Sequence, residues 1–334
     1  MLIFKKRRIY SIAEIASAHE GNYSKLKKLI YCAKKSDADF VKLQIFNLES
    51  FISKNSKKYK IFKKLSFNEK QWKRILNYVR KINIKLIIEV FDEKSLGFIK
   101  QFDHISAIKI PSFEFDNSIF LKKIRKKFSN VILGVGGLND KQINNIILLT
   151  KKNKFKETVL MHGFQKYPTK IEESNINKIN FLKKFNKIIG YADHSSASNY
   201  FSNNALCFLA IGAGARVIEK HITLDRSKKG NDYYSALNPN EFKHFVRTIK
   251  EIESSFINSS NSKISIYEKK YLSENRRYAV AREEICSQDK LTLNKVSFKR
   301  ISEKGLSIED ISKVLSKKIK NKKKKDDPYT LNDF

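Results

Sequence analysis

The sequence is poor in residues that break or staple chains: among 334 residues only 4 are proline, 11 glycine and 3 cysteine. So little proline and glycine, beside 41% hydrophobic residues, excludes a collagen-like, low-complexity or disordered chain and leaves material for a sizeable core. Cys32, Cys207 and Cys286 are odd in number, widely spaced and without a CxxC pair, which excludes a disulfide framework and a zinc–thiolate site. They read as free thiols in a reducing compartment. No apolar run reaches the roughly 18 residues of a membrane span. The opening Phe4-Lys5-Lys6-Arg7-Arg8 is followed by too short an apolar stretch before Glu14 to act as a secretory signal. The expectation is a soluble cytoplasmic protein with no membrane partner.

Negative charge is scarce as well. Lys+Arg number 68 against 34 Asp+Glu, a formal charge of +34. A nucleic-acid partner would use such a surface to release counterions from phosphates. The excess, however, is lysine, 56 against 12 arginines, set singly or in pairs on segments with helical spacing. Arginine, the residue suited to bidentate phosphate and base contacts, is the rare one, and no RRM or zinc-finger pattern is present. The run Lys317 to Lys325 is the strongest nucleic-acid candidate, but it ends at the turn signal Asp326-Asp327-Pro328-Tyr329 and reads as strand and turn of a compact module. The expectation is no nucleic-acid partner; a basic nucleic-acid-binding protein carrying an inactive barrel is the alternative from a different class.

The chain does hold a repeated alternation. Short β-branched runs at 9–15, 39–46, 84–91, 105–111, 130–135, 157–163, 187–192 and 215–220 alternate with amphipathic segments such as Tyr23 to Lys35, Glu69 to Lys81 and Asp140 to Lys152. Near-continuous apolar strands, each followed by a helix, predict parallel strands covered by helices. Eight such units in about 240 residues predict an α/β fold, the (β/α)8 TIM barrel. A doubly wound open sheet would carry a glycine-rich turn after its first strand, where this chain has Ala16-Ser17-Ala18-His19-Glu20-Gly21. The division expected is a barrel over 1–254, a linker over 255–276 around the Ser/Asn-rich Ser254 to Ser262, and a small module over 277–334 with β-like runs at Tyr278 to Ala281, Leu291 to Leu293 and Val296 to Lys299.

In such a barrel the polar residues that finish the strands form the active site. They are Glu14, Lys42, Gln44, Glu89, Lys109, Ser112, the Gly134 to Gly137 turn, His162, Gln165, Tyr167, Asp193, His194, Glu219, Lys220 and His221. His194 and His221 follow sequential strands, so the two imidazoles could share one divalent ion and leave positions open for a substrate oxygen. Lys42 and Lys109 could hold a phosphate or carboxylate. The combination points to an anionic substrate.

Several segments carry a resemblance: Ile12-Ala13-Glu14-Ile15 with His19-Glu20-Gly21, Val41-Lys42-Leu43-Gln44, Phe91-Asp92-Glu93, Ile108-Lys109-Ile110-Pro111-Ser112, Tyr167-Pro168-Thr169, Gly190-Tyr191-Ala192-Asp193-His194, and Ala215 to Arg226. On these the chain resembles the sialic acid synthases, the N-acetylneuraminate synthase group with its legionaminate and pseudaminate relatives. The resemblance runs through Phe298-Lys299-Arg300 to the C-terminus. It implies a barrel that condenses phosphoenolpyruvate with an N-acylated amino-sugar aldehyde, followed by a small C-terminal SAF (antifreeze-like) domain in a domain-swapped homodimer. It further implies that His194 and His221 hold a divalent metal, manganese in the usual case, with magnesium or cobalt as alternatives. Lys42, Lys109 and Ser112 would bind phosphoenolpyruvate, Glu14 would be the catalytic carboxylate, and Glu114 would help stabilise cationic character at C2. Gln44, Tyr167 and Asp232 would contact the sugar, and Arg300 would reach it from the partner subunit. A 9-phosphate synthase using a 6-phosphorylated amino sugar is the alternative within the class.

The chain also departs from that family's pattern. Ile88-Glu89-Val90-Phe91 stands where many members have Ser-Thr-Pro-Phe, Gly134-Val135-Gly136-Gly137 stands for Ser-Thr-Gly-Met, Gln165 for Asn, and Ala192 for the Ser before Asp-His. A carboxylate facing a phosphate is repulsive unless a lysine separates them, so the acceptor is left open.

Overall fold

The computed structural model describes residues 3–5, 8–257 and 264–334. The chain divides into two compact units, Met1–Ser259 and Ser260–Phe334. In the first, eight parallel strands pair in sequence order: β1 (Tyr10–Glu14), β2 (Phe40–Ile45), β3 (Lys85–Val90), β4 (Ile105–Ile110), β5 (Asn130–Gly134), β6 (Glu157–His162), β7 (Ile188–Asp193) and β8 (Val217–Ile222). β8 returns to β1, with Glu14 opposite His221, so the sheet closes into the (β/α)8 barrel that the alternation predicts. A two-residue strand β9 (Ala236–Leu237) adds to the end of β8.

Helices follow the strands: α1 (Tyr23–Lys35), α2 (Leu48–Phe51), α3 (Tyr59–Leu65), α4 (Glu69–Lys81), α5 (Glu93–Ile99), α6 (Ser118–Arg125), α7 (Asp140–Lys152), α8 (Asn177–Leu182), α9 (Tyr200–Ala213) and α10 (Pro239–Ile257). Asparagine starts many of them. Asn22, Asn68 and Asn139 accept backbone N–H bonds at the heads of α1, α4 and α7, and the last two form capping boxes with Gln71 and Gln142; each such cap is worth about 1 kcal/mol. Lys34 and Lys35, Arg80 and Lys81, and Lys151 and Lys152 close the same three helices, where cations oppose the negative end of the helix dipole. Part of the basic excess therefore serves the barrel's outer ring.

Strand side chains alternate between two cores. Outward residues such as Ala13, Val41, Leu43, Leu86 and Ile88 pack under the helices. Inward residues fill the barrel. At its N-terminal end Phe4, Tyr10 and Phe40 meet with ring centroids 5.2, 5.3 and 6.0 Å apart and plug the floor. Above them lies an apolar layer containing Ile12, Ile87, Ala107, Ile132, Val159 and Val217. Above that, Glu14, Lys42, Glu89, Lys109, Glu219 and His221 turn polar groups inward beside Met161 and Ala192.

The second unit contains helix α11 (Ile266–Asn275), an antiparallel pair β10 (Tyr278–Ala281) and β11 (Val296–Lys299), and a short α12 (Ile308–Ser312) around a core that includes Ala279, Ile285, Leu291, Ile319 and Tyr329. Two expectations are corrected. The segment expected to be linker carries the end of α10, through Ile257, and all of α11, which starts with a Ser265–Glu268 capping box; Asn258 to Ser262 lie outside the described residues. Leu291 to Leu293 is not a strand: Leu291 is buried and bonded to Lys317 through its backbone N–H, and Leu293 opens a 3-10 turn. The lysine run Lys317 to Lys325 enters the module's own pairing through bridges Lys290–Lys318 and Ile285–Lys323, with Ile319 fully buried and Lys323 ion-paired to Asp333 at 2.6 Å. Among the described residues no helix is long and apolar enough to cross a membrane.

Candidate active site

Alternation decides which strand-end residues face one another. Register places Gln44 beside Glu89 and Glu89 beside Lys109, and on β8 Glu219 and His221 point inward while Lys220 points out. The result is a cavity of about 160 Å³ at the C-terminal end of the barrel. Residues singled out from the sequence line it: Glu14, Lys42, Gln44, Glu89, Lys109, Ser112, Gly134, Gln165, Tyr167, His194, Glu219 and His221.

A buried ionic cluster forms its floor. Lys42 Nζ lies 2.5 Å from Glu14 Oε2, 3.0 Å from Glu89 Oε2 and 2.8 Å from Glu219 Oε1. Lys109 Nζ donates to both oxygens of Glu219, at 2.7 and 2.9 Å. Gln44 Nε2 adds a bond to Glu89 Oε2 at 3.1 Å. Burial opposes the charge of Glu219, but Lys109 and Lys42 outweigh it and hold the carboxyl well below the ordinary range. Burial likewise opposes the Lys109 ammonium, and Glu219 and Glu89 overcome it and raise its pKa. Glu14 is ion-paired to Lys42, yet among the described residues neither of its buried carboxylate oxygens has a hydrogen-bond partner. Such an uncommitted carboxylate beside an ammonium is suited to accept a proton or a water.

Above the cluster sit two imidazoles, His194 and His221, with ring centroids 5.6 Å apart. The Nδ1–H of His194 donates to the Phe164 carbonyl at 2.6 Å, which fixes its tautomer and leaves Nε2 to accept from the Tyr167 hydroxyl at 3.1 Å. His221 Nδ1 is buried, with no hydrogen-bond partner among the described residues. Burial lowers both pKa values, that of His221 further through its neighbour His194, so both rings are neutral and carry lone pairs, the form that ligates metals. Among the described residues no group of three or more His, Cys, Asp or Glu is arranged to hold an ion. The protein's own donor set here is therefore the imidazole pair, with an orphaned nitrogen on one ring, and an ion would complete its coordination with substrate or water oxygens.

Glycine lets these walls approach. A Cβ on Gly136 would lie 2.0 Å from the Gly163 carbonyl oxygen, and one on Gly163 would lie 2.7 Å from that of Ala192. The departures at Gly134 to Gly137 and Ala192 thus fall on one tightly packed wall that carries Gln165 and His194. Gly136→Ala is expected to cost about 1–3 kcal/mol through overpacking. The shift of the urea unfolding midpoint checks it, and an unchanged midpoint would mean that the turn yields freely.

Three expected site residues do not line the cavity. Glu114 is turned away by the 3-10 turn Ser112–Glu114 and accepts from the Asn117 side chain at 2.7 Å, which corrects its expected place near C2. Asp232 holds the Ser17 backbone N–H at 2.8 Å, and its charge reaches Tyr167. Arg300 is exposed just after β11 in the second unit. Three of the collected strand-end residues face outward: Lys220 is ion-paired with Asp193, both fully buried, and His162 bonds the Ser174 and Asn175 carbonyls. Glu219, collected at the rim but given no role, is the hub of the lysine cluster; two-residue alternation with His221 was the signal that could have placed it. Phe91 and Phe113 were missed as cavity residues, and they stack at 6.3 Å against its mouth.

The sequence profile of the NeuB family matches residues 29–261. An uncharacterized protein of Methanocaldococcus jannaschii is 33% identical, over 95% of this chain and 92% of its own length. The N,N'-diacetyllegionaminic acid synthase of Campylobacter jejuni is 31% identical, over 82% of this chain and 85% of its own. Among solved structures, the N-acetylneuraminic acid (sialic acid) synthetase of Leptospira borgpetersenii superposes with a TM-score of 0.72 at 25% identity, covering 79% of this chain and 90% of that one.

Proposed function

The chain belongs to the NeuB family, and on that premise we propose that it condenses phosphoenolpyruvate with an N-acylated amino-sugar aldehyde and water, yielding a nine-carbon 2-keto acid and phosphate. The observation that carries the reading is the meeting, in one cavity, of two buried lysines with two neutral imidazoles. Lys42 and Lys109 receive the anionic donor, aided by Ser112 at the head of its 3-10 turn. Gln44, Gln165 and Tyr167 orient the acceptor from the rim.

C3 of the enol forms the new bond to the aldehyde carbon, and C2 gains cationic character that Glu14 and Glu219 stabilise. Glu14 takes one proton of the water that adds at C2; phosphate then departs by C–O cleavage as that oxygen loses its second proton and the 2-keto group forms, and the former aldehyde oxygen gains a proton to become a hydroxyl. His194 and His221 would hold a divalent ion, which would supply Lewis-acid polarisation of a carbonyl oxygen. Imidazole ligands favour manganese or cobalt over magnesium, which prefers oxygen donors; manganese is the proposed metal. The second unit is assigned as an SAF domain that presents Arg300 to a partner subunit's acceptor in a domain-swapped homodimer, a reading supported by the exposed position of Arg300.

Incubation with phosphoenolpyruvate, manganese and a panel of N-acetyl, diacetamido and 6-phosphorylated amino sugars is expected to release inorganic phosphate and 2-keto acid in equal amounts with at least one acceptor. Release with none of them overturns the proposal.

A further inference from the structure

The cavity that is to receive an anion already contains one too many. Among the described residues lining the cavity, Glu14, Glu89 and Glu219 face only Lys42 and Lys109, so the five charges sum to −1 on a chain whose total is +34. Glu89 is the carboxylate placed to compete. Its Oε2 takes both inward donors of β2, Lys42 Nζ at 3.0 Å and Gln44 Nε2 at 3.1 Å. Lys109 stands opposite on β4, while Glu14 on β1 and Glu219 on β8 share the same Lys42. Glu89 is 5% exposed and lines the cavity.

We propose that Glu89 is a built-in occupant of the anion subsite: its carboxylate stands where an incoming phosphate or carboxylate group must bind, and it sets donor affinity by competing for Lys42 and Gln44. The inference rests on the reading that an anion enters here. An anion gains those two donors only by displacing Glu89, and it remains near a displaced like charge in a low-dielectric pocket. A ligand with a single anionic group, such as inorganic phosphate, has nothing else with which to offset that displacement. A donor carrying a second anionic group can engage Lys109 at the same time. The site consequently selects doubly anchored donors and releases phosphate readily. Glu89 is a positioning residue in this scheme, acting through Lys42 and Gln44.

The test is calorimetric titration of wild type, Glu89→Gln and Glu89→Ser with phosphoenolpyruvate and, separately, with inorganic phosphate, each protein first shown to be folded by its thermal transition. Glu89→Gln keeps the shape and removes the charge; Glu89→Ser leaves room should the amide not be accommodated. The expected result is a gain of at least about tenfold in phosphate affinity, the same direction for phosphoenolpyruvate, and a matching fall in its KM. A gain for phosphate with no phosphoenolpyruvate binding by any of the three proteins supports the occupant role and removes the proposed donor. Unchanged or weaker phosphate binding in the folded variants overturns the inference, as does a fall in kcat with no gain in affinity, which would make Glu89 a support for the chemistry.

Discussion

Lys42→Met is expected to abolish turnover and to lower the unfolding free energy by about 3–5 kcal/mol, the range for breaking a buried ion pair from one side. Methionine keeps most of the stem's volume, so the loss isolates the ammonium. Lys42 is 1% exposed and holds three carboxylates within 3.0 Å. Without it Glu219 keeps Lys109, but Glu14 and Glu89 are left buried with no ion-pair partner among the described residues. Urea unfolding of the variant and phosphate release measured together check both halves. Lost turnover at wild-type stability would mean that water enters the barrel and hydrates the carboxylates.

His221→Ala is expected to behave in the opposite way, reducing turnover about a hundredfold or more while shifting the melting temperature little. Its ring lines a cavity, and among the described residues its Nδ1 makes no hydrogen bond, so removal breaks no hydrogen bond at that atom and forfeits only ring contacts with Tyr167 and His194. Manganese retained after gel filtration, measured on the protein without substrate, supplies a readout independent of activity. Retention equal to wild type would remove His221 from the ligand set.

The contrast between these variants reflects what a sequence displays. The barrel was legible because strands buried on both faces read as apolar runs, and because Asn68 with Gln71 and Asn139 with Gln142 mark helix starts so sharply that α4 and α7 begin where the spacing places them. Helices α2 and α3 were not, since they sit in a lysine- and serine-rich stretch and bury only Leu65. α11 buries nothing in its own unit, and so leaves no apolar periodicity to read. Within the site, residue types at strand ends were visible, but their direction was not. Lys220 and Lys42 look alike as letters; one neutralises Asp193 behind the sheet and the other faces the cavity. Glu114 shows the same limit at a turn, where three residues per rotation carry a carboxylate away from the pocket that its neighbours line.

The aromatic plug formed by Phe4, Tyr10 and Phe40 has a kinetic consequence. The plug closes the floor, so a ligand seated on the lysine layer lies deeper than one that meets His194, His221 and the Phe91–Phe113 wall. For the proposed reaction entry becomes a queue: the donor is expected to arrive before the acceptor, an acceptor bound first would be a dead end, and substrate inhibition by the sugar would be the signature of compulsory order.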